Sequence, residues 1–185
     1  MTQPWHRIRR ICLLAVLIPM FAQGEMLDGS RGQIRFYGTQ MGAQVEGRFQ
    51  RFSADTHFDP NDLAHSSVHL VIDLDSIDLA SEESEDEIKG THWFNTAHFP
   101  QAIFDSSGFK NNGDHKYLVY GILQIKGIKQ YINVPLEITQ AGKQRVAQGS
   151  FVLLRHRFAV GDGTWAATDS VKDEVVVRYR LMLNP

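Results

Sequence analysis

A single cysteine, Cys12, stands among 185 residues. One thiol excludes a disulfide framework and leaves too few thiolates for a structural zinc site. A surplus of one charge is missing too. Nineteen Lys and Arg face 21 Asp and Glu, a formal net charge of -2, which is not the basic balance of a nucleic-acid binder. No apolar run reaches the roughly 20 residues that a membrane-spanning helix needs. The Gly-x-Ser-x-Gly elbow, the His-Glu-x-x-His zinc helix and the P-loop are absent. Gly161-Asp162-Gly163-Thr164-Trp165-Ala166 has the outline of a dinucleotide fingerprint, but neither a buried parallel strand nor a convincing helix flanks it. The seven histidines after residue 24 form no i,i+4 pair on a helix, so no metal motif emerges.

What is present begins with a leader. Arg7, Arg9 and Arg10 precede an uncharged apolar run, 11–22, and Ala22-Gln23-Gly24 supplies the small-x-small pattern of a cleavage site. Residues 1–24 are therefore expected to be a signal peptide, and 25–185 a single exported domain. Cleavage removes three arginines, no acid and the lone cysteine. The remaining chain must hold together by its core, which its length allows.

That chain reads as antiparallel β structure. Over 67–75, Val68, Leu70, Ile72 and Leu74 share one face, with His69, Asp73 and Asp75 on the other. The same period of two runs through 117–125, 131–138 and 174–183, and more weakly through 33–39, 44–58, 101–109 and 145–160. Asn111-Asn112-Gly113-Asp114, Gly127 and Ala141-Gly142 mark turns. Pro135 points to an edge, a bulge or a strand end. Eight such strands suggest a closed barrel, since closure removes exposed edges; the pattern alone also admits a two-sheet sandwich. One stretch departs from it. Residues 81–90 carry Glu82, Glu83, Glu85, Asp86 and Glu87, with Ser84 and Glu87 spaced as a capping box and Gly90 as a stop, and read as a short solvated helix. Eleven Phe, five Tyr and three Trp are spread over nearly every element. An eight-stranded barrel can bury them as a filled core or leave room for one small ligand.

Five anchors in order resemble the YceI-like family of exported bacterial proteins, the polyisoprenoid-binding, lipocalin-like barrels. They are Val45-Glu46-Gly47-Arg48-Phe49 with Phe58-Asp59-Pro60; the strand ending Asp75-Ser76-Ile77; Trp93-Phe94 with Phe99-Pro100, Phe104 and Ser106; Gly121 to Gly127; and Arg155-His156-Arg157-Phe158. The fold class expected is thus all-β: an eight-stranded antiparallel lipocalin-like barrel with one short helix packed against it. The resemblance implies a non-catalytic periplasmic carrier. Its ligand would be an isoprenoid lipid, a polyprenyl chain or an isoprenoid quinone, held in the barrel interior with no cofactor required. The ending Ala159-Val160-Gly161-Asp162-Gly163-Thr164-Trp165 after Phe158 resembles a branch often found with membrane b-type cytochromes, which implies such a cytochrome as a partner. The alternative is a packed barrel, without cargo, serving as a protein-interaction or stress-protective module.

Within a barrel, the alternation assigns Phe36, Phe49, Leu70, Ile72, Leu123, Ile125, Val134, Leu136, Phe151, Leu153 and Val177 to the inner face. Trp93, Phe94 and Phe104 are expected to join helix to barrel and close one end. Arg155 shares a face with Phe151 and Leu153 in an unbroken strand. An inward charge needs a partner, which makes Arg155 a candidate for meeting a quinone oxygen or a phosphate.

Overall fold

Segments of alternating polarity become strands here, and the turn residues between them set their order. The computed structural model describes residues 25–28, 32–142 and 144–183; the expected leader, 1–24, lies outside the described residues. The strands are β1 (Glu25–Asp28), β2 (Gly32–Gln40), β3 (Ala43–Phe49), β4 (Phe52–His57), β5 (Ser67–Asp73), β6 (Ile77–Asp78), β7 (Gln101–Asn111), β8 (Lys116–Ile125), β9 (Ile128–Ala141), β10 (Gln144–Leu154) and β11 (Glu174–Leu183). One helix, α1 (Glu82–Lys89), lies between β6 and β7.

All strand pairs are antiparallel, in the order β1-β4-β5-β7-β8-β9-β10-β11-β2-β3-β6. The two ends of that order meet. β3 and β4 are one continuous segment interrupted at Gln50 and Arg51, and β5 and β6 are another, interrupted by a 3-10 turn at Leu74–Ser76. β4 pairs with β5, and β3 pairs with β6. Each segment therefore fills one place in the wall, and the sheet closes into eight ranks, as expected, with β1 added along β4. The corner between the segments is bonded by Gln50 N–H to Ser76 O (3.0 Å), Asp73 N–H to Arg51 O (3.0 Å) and Arg51 N–H to Ser76 Oγ (2.9 Å).

Tight turns carry the hairpins. Met41-Gly42 and Lys126-Gly127 each hold two successive positive φ angles, 51° and 81°, 50° and 76°, the geometry of the two-residue primed turn. The hairpins near Gly113 and Gly142 and the 58–66 loop lie at one end of the barrel. The other end carries the 41–42 and 126–127 turns, the 79–100 segment with α1, and the 155–173 loop. This second end is the capped end.

Two expectations need correction. The helix is capped by Ser81, whose hydroxyl accepts from Ser84 N–H at 3.2 Å, so the Ser84–Glu87 box is not the cap. Placing the cap one turn earlier sets Glu82, Glu83 and Glu85 in the first turn, where the helix dipole favours them. The strand read as 145–160 ends at Leu154; Arg155–Phe158 is a 3-10 turn. β1 carried no signal that the sequence reading recognised.

The wall has one weak line. β9 and β10 pair only from Gln144↔Ala141 to Gln148↔Glu137. Ile138 N–H donates to His115 O, so even-numbered residues of β9 bond to β8 and odd-numbered ones face β10. Pro135, the next odd residue beyond Glu137, has no N–H to offer, and the ladder stops there. Of the edge, bulge or strand end expected of Pro135, the structure shows a local edge, this seam. The Tyr179 hydroxyl crosses from β11 and donates to Pro135 O at 2.7 Å. It passes over Gly149, where a Cβ would collide with Pro135 O and lie 2.7 Å from the phenol. Gly149→Ala is therefore expected to destabilise the barrel by about 1–3 kcal/mol, read as a lower urea midpoint at unchanged m.

Candidate ligand-binding cavity

The inner faces of the eight ranks enclose a cavity of about 240 Å³, several times the ~30 Å³ share of one water in the liquid. All fifteen residues expected from the sequence line it: Phe36, Phe49, Leu70, Ile72, Trp93, Phe94, Phe104, Leu123, Ile125, Val134, Leu136, Phe151, Leu153, Arg155 and Val177. For the eleven assigned by alternation this follows because a strand offers only two faces; Trp93, Phe94 and Arg155 reach the cavity from outside the strands. Further lining residues come from the same strands, among them Ile34, Ile132, Ala147 and Leu181, which were not among those expected. Nor were Ile88, which α1 contributes, and Leu74 of the 3-10 turn. Ile88 could have been found as the only apolar residue of an otherwise polar helix.

Aromatic side chains crowd both ends. Phe58 packs on Phe109 and Tyr117 at ring-centroid distances of 5.9 and 5.0 Å. Toward the capped end Phe49 packs on Phe36 at 5.5 Å and on Phe94 at 6.2 Å. Phe104 takes a place in the wall itself, and a Cβ at Gly121 on the paired strand would collide with its ring. Phe104 thus belongs to the barrel and not to the helix junction expected of it.

Four side chains on the cavity carry polar atoms: Thr56, Trp93, Arg155 and Tyr179. Tyr179 spends its hydroxyl on Pro135 O, and burial pushes its pKa well above the ordinary phenol value.

Arg155 is 4 % exposed, and all five of its N–H groups are spent on backbone carbonyls. Nε donates to Lys172 O (3.1 Å). Nη1 donates to Val160 O (2.9 Å) and Gly161 O (2.6 Å). Nη2 donates to Trp165 O and Val171 O, both at 2.8 Å. A guanidinium has no sixth donor. Arg155 is therefore not the head-group contact expected of it; it organises the 155–173 loop. Burial lowers its pKa, and Asp173 opposes that shift. Gly161 passes so close to Nη1 that a Cβ there would collide with it, and its φ of +73° suits glycine alone. The Trp93 ring lies 5.6 Å from the guanidinium carbon and 5.7 Å from the Trp165 ring. Its indole N–H is buried without a hydrogen-bond partner among the described residues.

The loop is latched to the 79–100 segment. Gly161 and Asp162 N–H both donate to His92 O, at 2.8 and 2.9 Å. Trp165 Nε1 donates to Glu87 Oε1 at 2.7 Å. Asp162 stands 2.8 Å from His92 Nδ1 and 3.0 Å from Lys126 Nζ. The hydrogen bond from His92, then that from Lys126, holds its carboxyl below the ordinary value.

An apolar cavity in a closed antiparallel barrel, capped by a helix and a bonded loop, is the architecture of a lipocalin-like barrel. The YceI-like domain model matches residues 26–183, and the chain belongs to that family. A UPF0312 protein of Vibrio vulnificus is 31% identical over 134 residues, 71% of each chain. The crystal structure of BcnA from Burkholderia cenocepacia superposes with a TM-score of 0.81 at 35% identity, covering 84% of this chain and 98% of that one. A structure from Saccharophagus degradans, described as a polyisoprenoid binding domain, shares the fold with a TM-score of 0.71 at 16% identity, over 88% of this chain and 98% of that one.

Two outcomes test this description. Arg155→Met leaves five carbonyls without their donors and is expected to cost about 3 kcal/mol or more, measured by urea unfolding. A lowered carboxyl pKa stabilises above the ordinary carboxylate value of ~3.9 and is lost as pH falls through the lower folded value. In wild type, then, the Gly161 amide is expected to stay protected from hydrogen exchange near neutrality and to lose protection in acid. In Asp162→Asn that amide is expected to exchange faster near neutrality, and the difference is expected to vanish in acid.

Proposed function

We propose that this protein is a non-catalytic carrier of a long isoprenoid lipid, of the polyprenyl or quinone type, held in the barrel interior. The observation that carries this reading is the cavity. Its lining is apolar apart from Thr56, the Trp93 indole N–H, Arg155 and Tyr179, and the last two spend their polar atoms on backbone carbonyls. Such a space offers burial but no converging polar groups for chemistry. Each buried methylene is worth about 0.8 kcal/mol, so an isoprenoid tail binds through its length. The buried, unpartnered N–H of Trp93 at the capped end is a donor that a ligand oxygen could satisfy. The family and the structural likeness to a polyisoprenoid binding domain support the same ligand class. A packed barrel acting only as an interaction module has no use for the void, since unfilled apolar space forfeits packing contacts and destabilises. A ligand that fills it offsets that loss. The leader reading of residues 1–24 supports the periplasm as the place of action. A quinone cargo would make a membrane b-type cytochrome a natural recipient.

The test is lipid identification. The chain, expressed with its own leader, is expected to yield a stoichiometric isoprenoid on organic extraction and mass spectrometry. Delipidation is expected to lower its Tm, and added isoprenoid to restore it. Leu70→Trp, which narrows the cavity, is expected to fold and to carry much less lipid. A stable protein that contains no isoprenoid and takes up none overturns the reading.

A further inference from the structure

The outer wall of the barrel is electrically lopsided. On the outer faces of β9 and β11 stand Lys129, Arg178 and Arg180 against Glu137 and Glu174, and Arg157 is exposed beside them. Glu137 is engaged with Gln148, whose own oxygen accepts from Arg180. On the opposite wall, β4, β5 and β7 carry Asp55, Asp73 and Asp105 against Lys110, with Arg51 of the β3–β4 corner paired to Asp73 at 2.8 Å. The basic wall belongs to a chain that is acidic overall.

The basic wall also bears exposed apolar side chains. Tyr131 on β9 is 79% exposed and Val152 on β10 is 55% exposed. They stand on the two strands that border the unpaired seam, 128–136 and 149–154. Arg178 lies 4.9 Å from the Tyr37 ring, extending the mixture of aromatic and cationic groups onto β2. Side chains with an apolar body and a polar or cationic tip are those that settle at a membrane interface. Basic residues near such a surface are drawn to anionic lipid. Ile132, Val134, Phe151 and Leu153 line the cavity directly behind this wall.

We propose that the β9–β10–β11 wall is the face on which the barrel docks to an anionic lipid bilayer, with the seam turned toward the membrane. Docking is independent of cargo; only the use of the seam for lipid exchange rests on the carrier reading.

The test is co-sedimentation with vesicles of mixed zwitterionic and anionic phospholipid, and with zwitterionic vesicles as control. Wild type is expected to bind the anionic vesicles, less as salt rises, and to leave the zwitterionic ones. Arg178→Glu with Arg180→Glu is expected to weaken binding about tenfold or more. Lys129→Glu with Arg157→Glu, which leaves the Tyr37 and Gln148 contacts alone, is expected to do the same, with folding checked by circular dichroism. Asp55→Asn with Asp105→Asn is expected to leave binding unchanged or raise it. In a Cys12→Ser background, an environment-sensitive dye on Val152→Cys is expected to shift to the blue on anionic vesicles, and the same dye on Asp55→Cys is not. Failure to bind anionic vesicles, binding unchanged in both charge reversals, or equal dye shifts at the two walls overturns the proposal. The carrier reading, tested by extraction, can fail without affecting any of these results.

Discussion

Closure of a single antiparallel sheet is the constraint on which the rest of this molecule depends. An open sheet of this size would leave two edges of unpaired backbone. Here the edges are joined by bending two continuous segments at the same corner. The ladder is interrupted there, and the buried Ser76 takes its place: its hydroxyl accepts from Arg51 N–H and donates to Asp73 O at 2.6 Å. Once the ring is closed, alternation of polarity has only one meaning. Every second residue faces a common interior, which side chains either fill or leave partly open. Eight ranks put the barrel at the size where either outcome is possible. Aromatic clusters toward both ends keep the side chains between them from collapsing the space.

How far the sequence could be read follows from this. Strands and inner faces were legible because period two is a local property, and a closed ring converts it directly into a list of lining residues. Leu70, Leu123 and Val134 needed no knowledge of their neighbours. Arg155 shows where locality ends. Its position in line with Phe151 and Leu153 was correct, and it does touch the cavity. Its partners, however, are carbonyls of residues 160, 161, 165, 171 and 172, and no periodicity announces a loop that folds back around a guanidinium. The same holds for Ser81. A capping box can be drawn at Ser84, but the extended backbone at Ser81 decides which serine caps. Pro135 signalled an interruption without saying which neighbour would be lost; that depended on which face of β9 its missing N–H would have served.

The two weak points of a barrel, its ends and its seams, are treated oppositely. The capped end is closed with polar bonds: Arg155 gathers the loop, and Asp162, His92, Lys126, Glu87 and Trp165 bind it to the 79–100 segment. The exposed ion pairs among these contribute little each. The buried guanidinium contributes more, because each carbonyl it leaves would be stranded away from water. The seam is closed mainly by side chains, with Tyr179 bridging one end of it and Gln130 reaching Arg157 O at the other.

That contrast bears on how a filled barrel could empty. A chain leaving through the capped end must displace Arg155 and strand five carbonyls, each hydrogen bond to a charged group being worth about 1.5–3 kcal/mol. A chain leaving between β9 and β10 breaks no ladder bond over 128–136 and 149–154, because none is formed there. It need only move two hydrogen bonds and part apolar side chains that repack against an isoprenoid as readily as against each other. In water this route still exposes the tail. Against a bilayer it does not, since the apolar path runs from the cavity through the seam to Tyr131 and Val152. The lower barrier through the wall thus exists only when the wall is docked. If the barrel carries and docks as proposed, the apolar burial that holds a tail in the aqueous phase is the same that lets it go at a membrane.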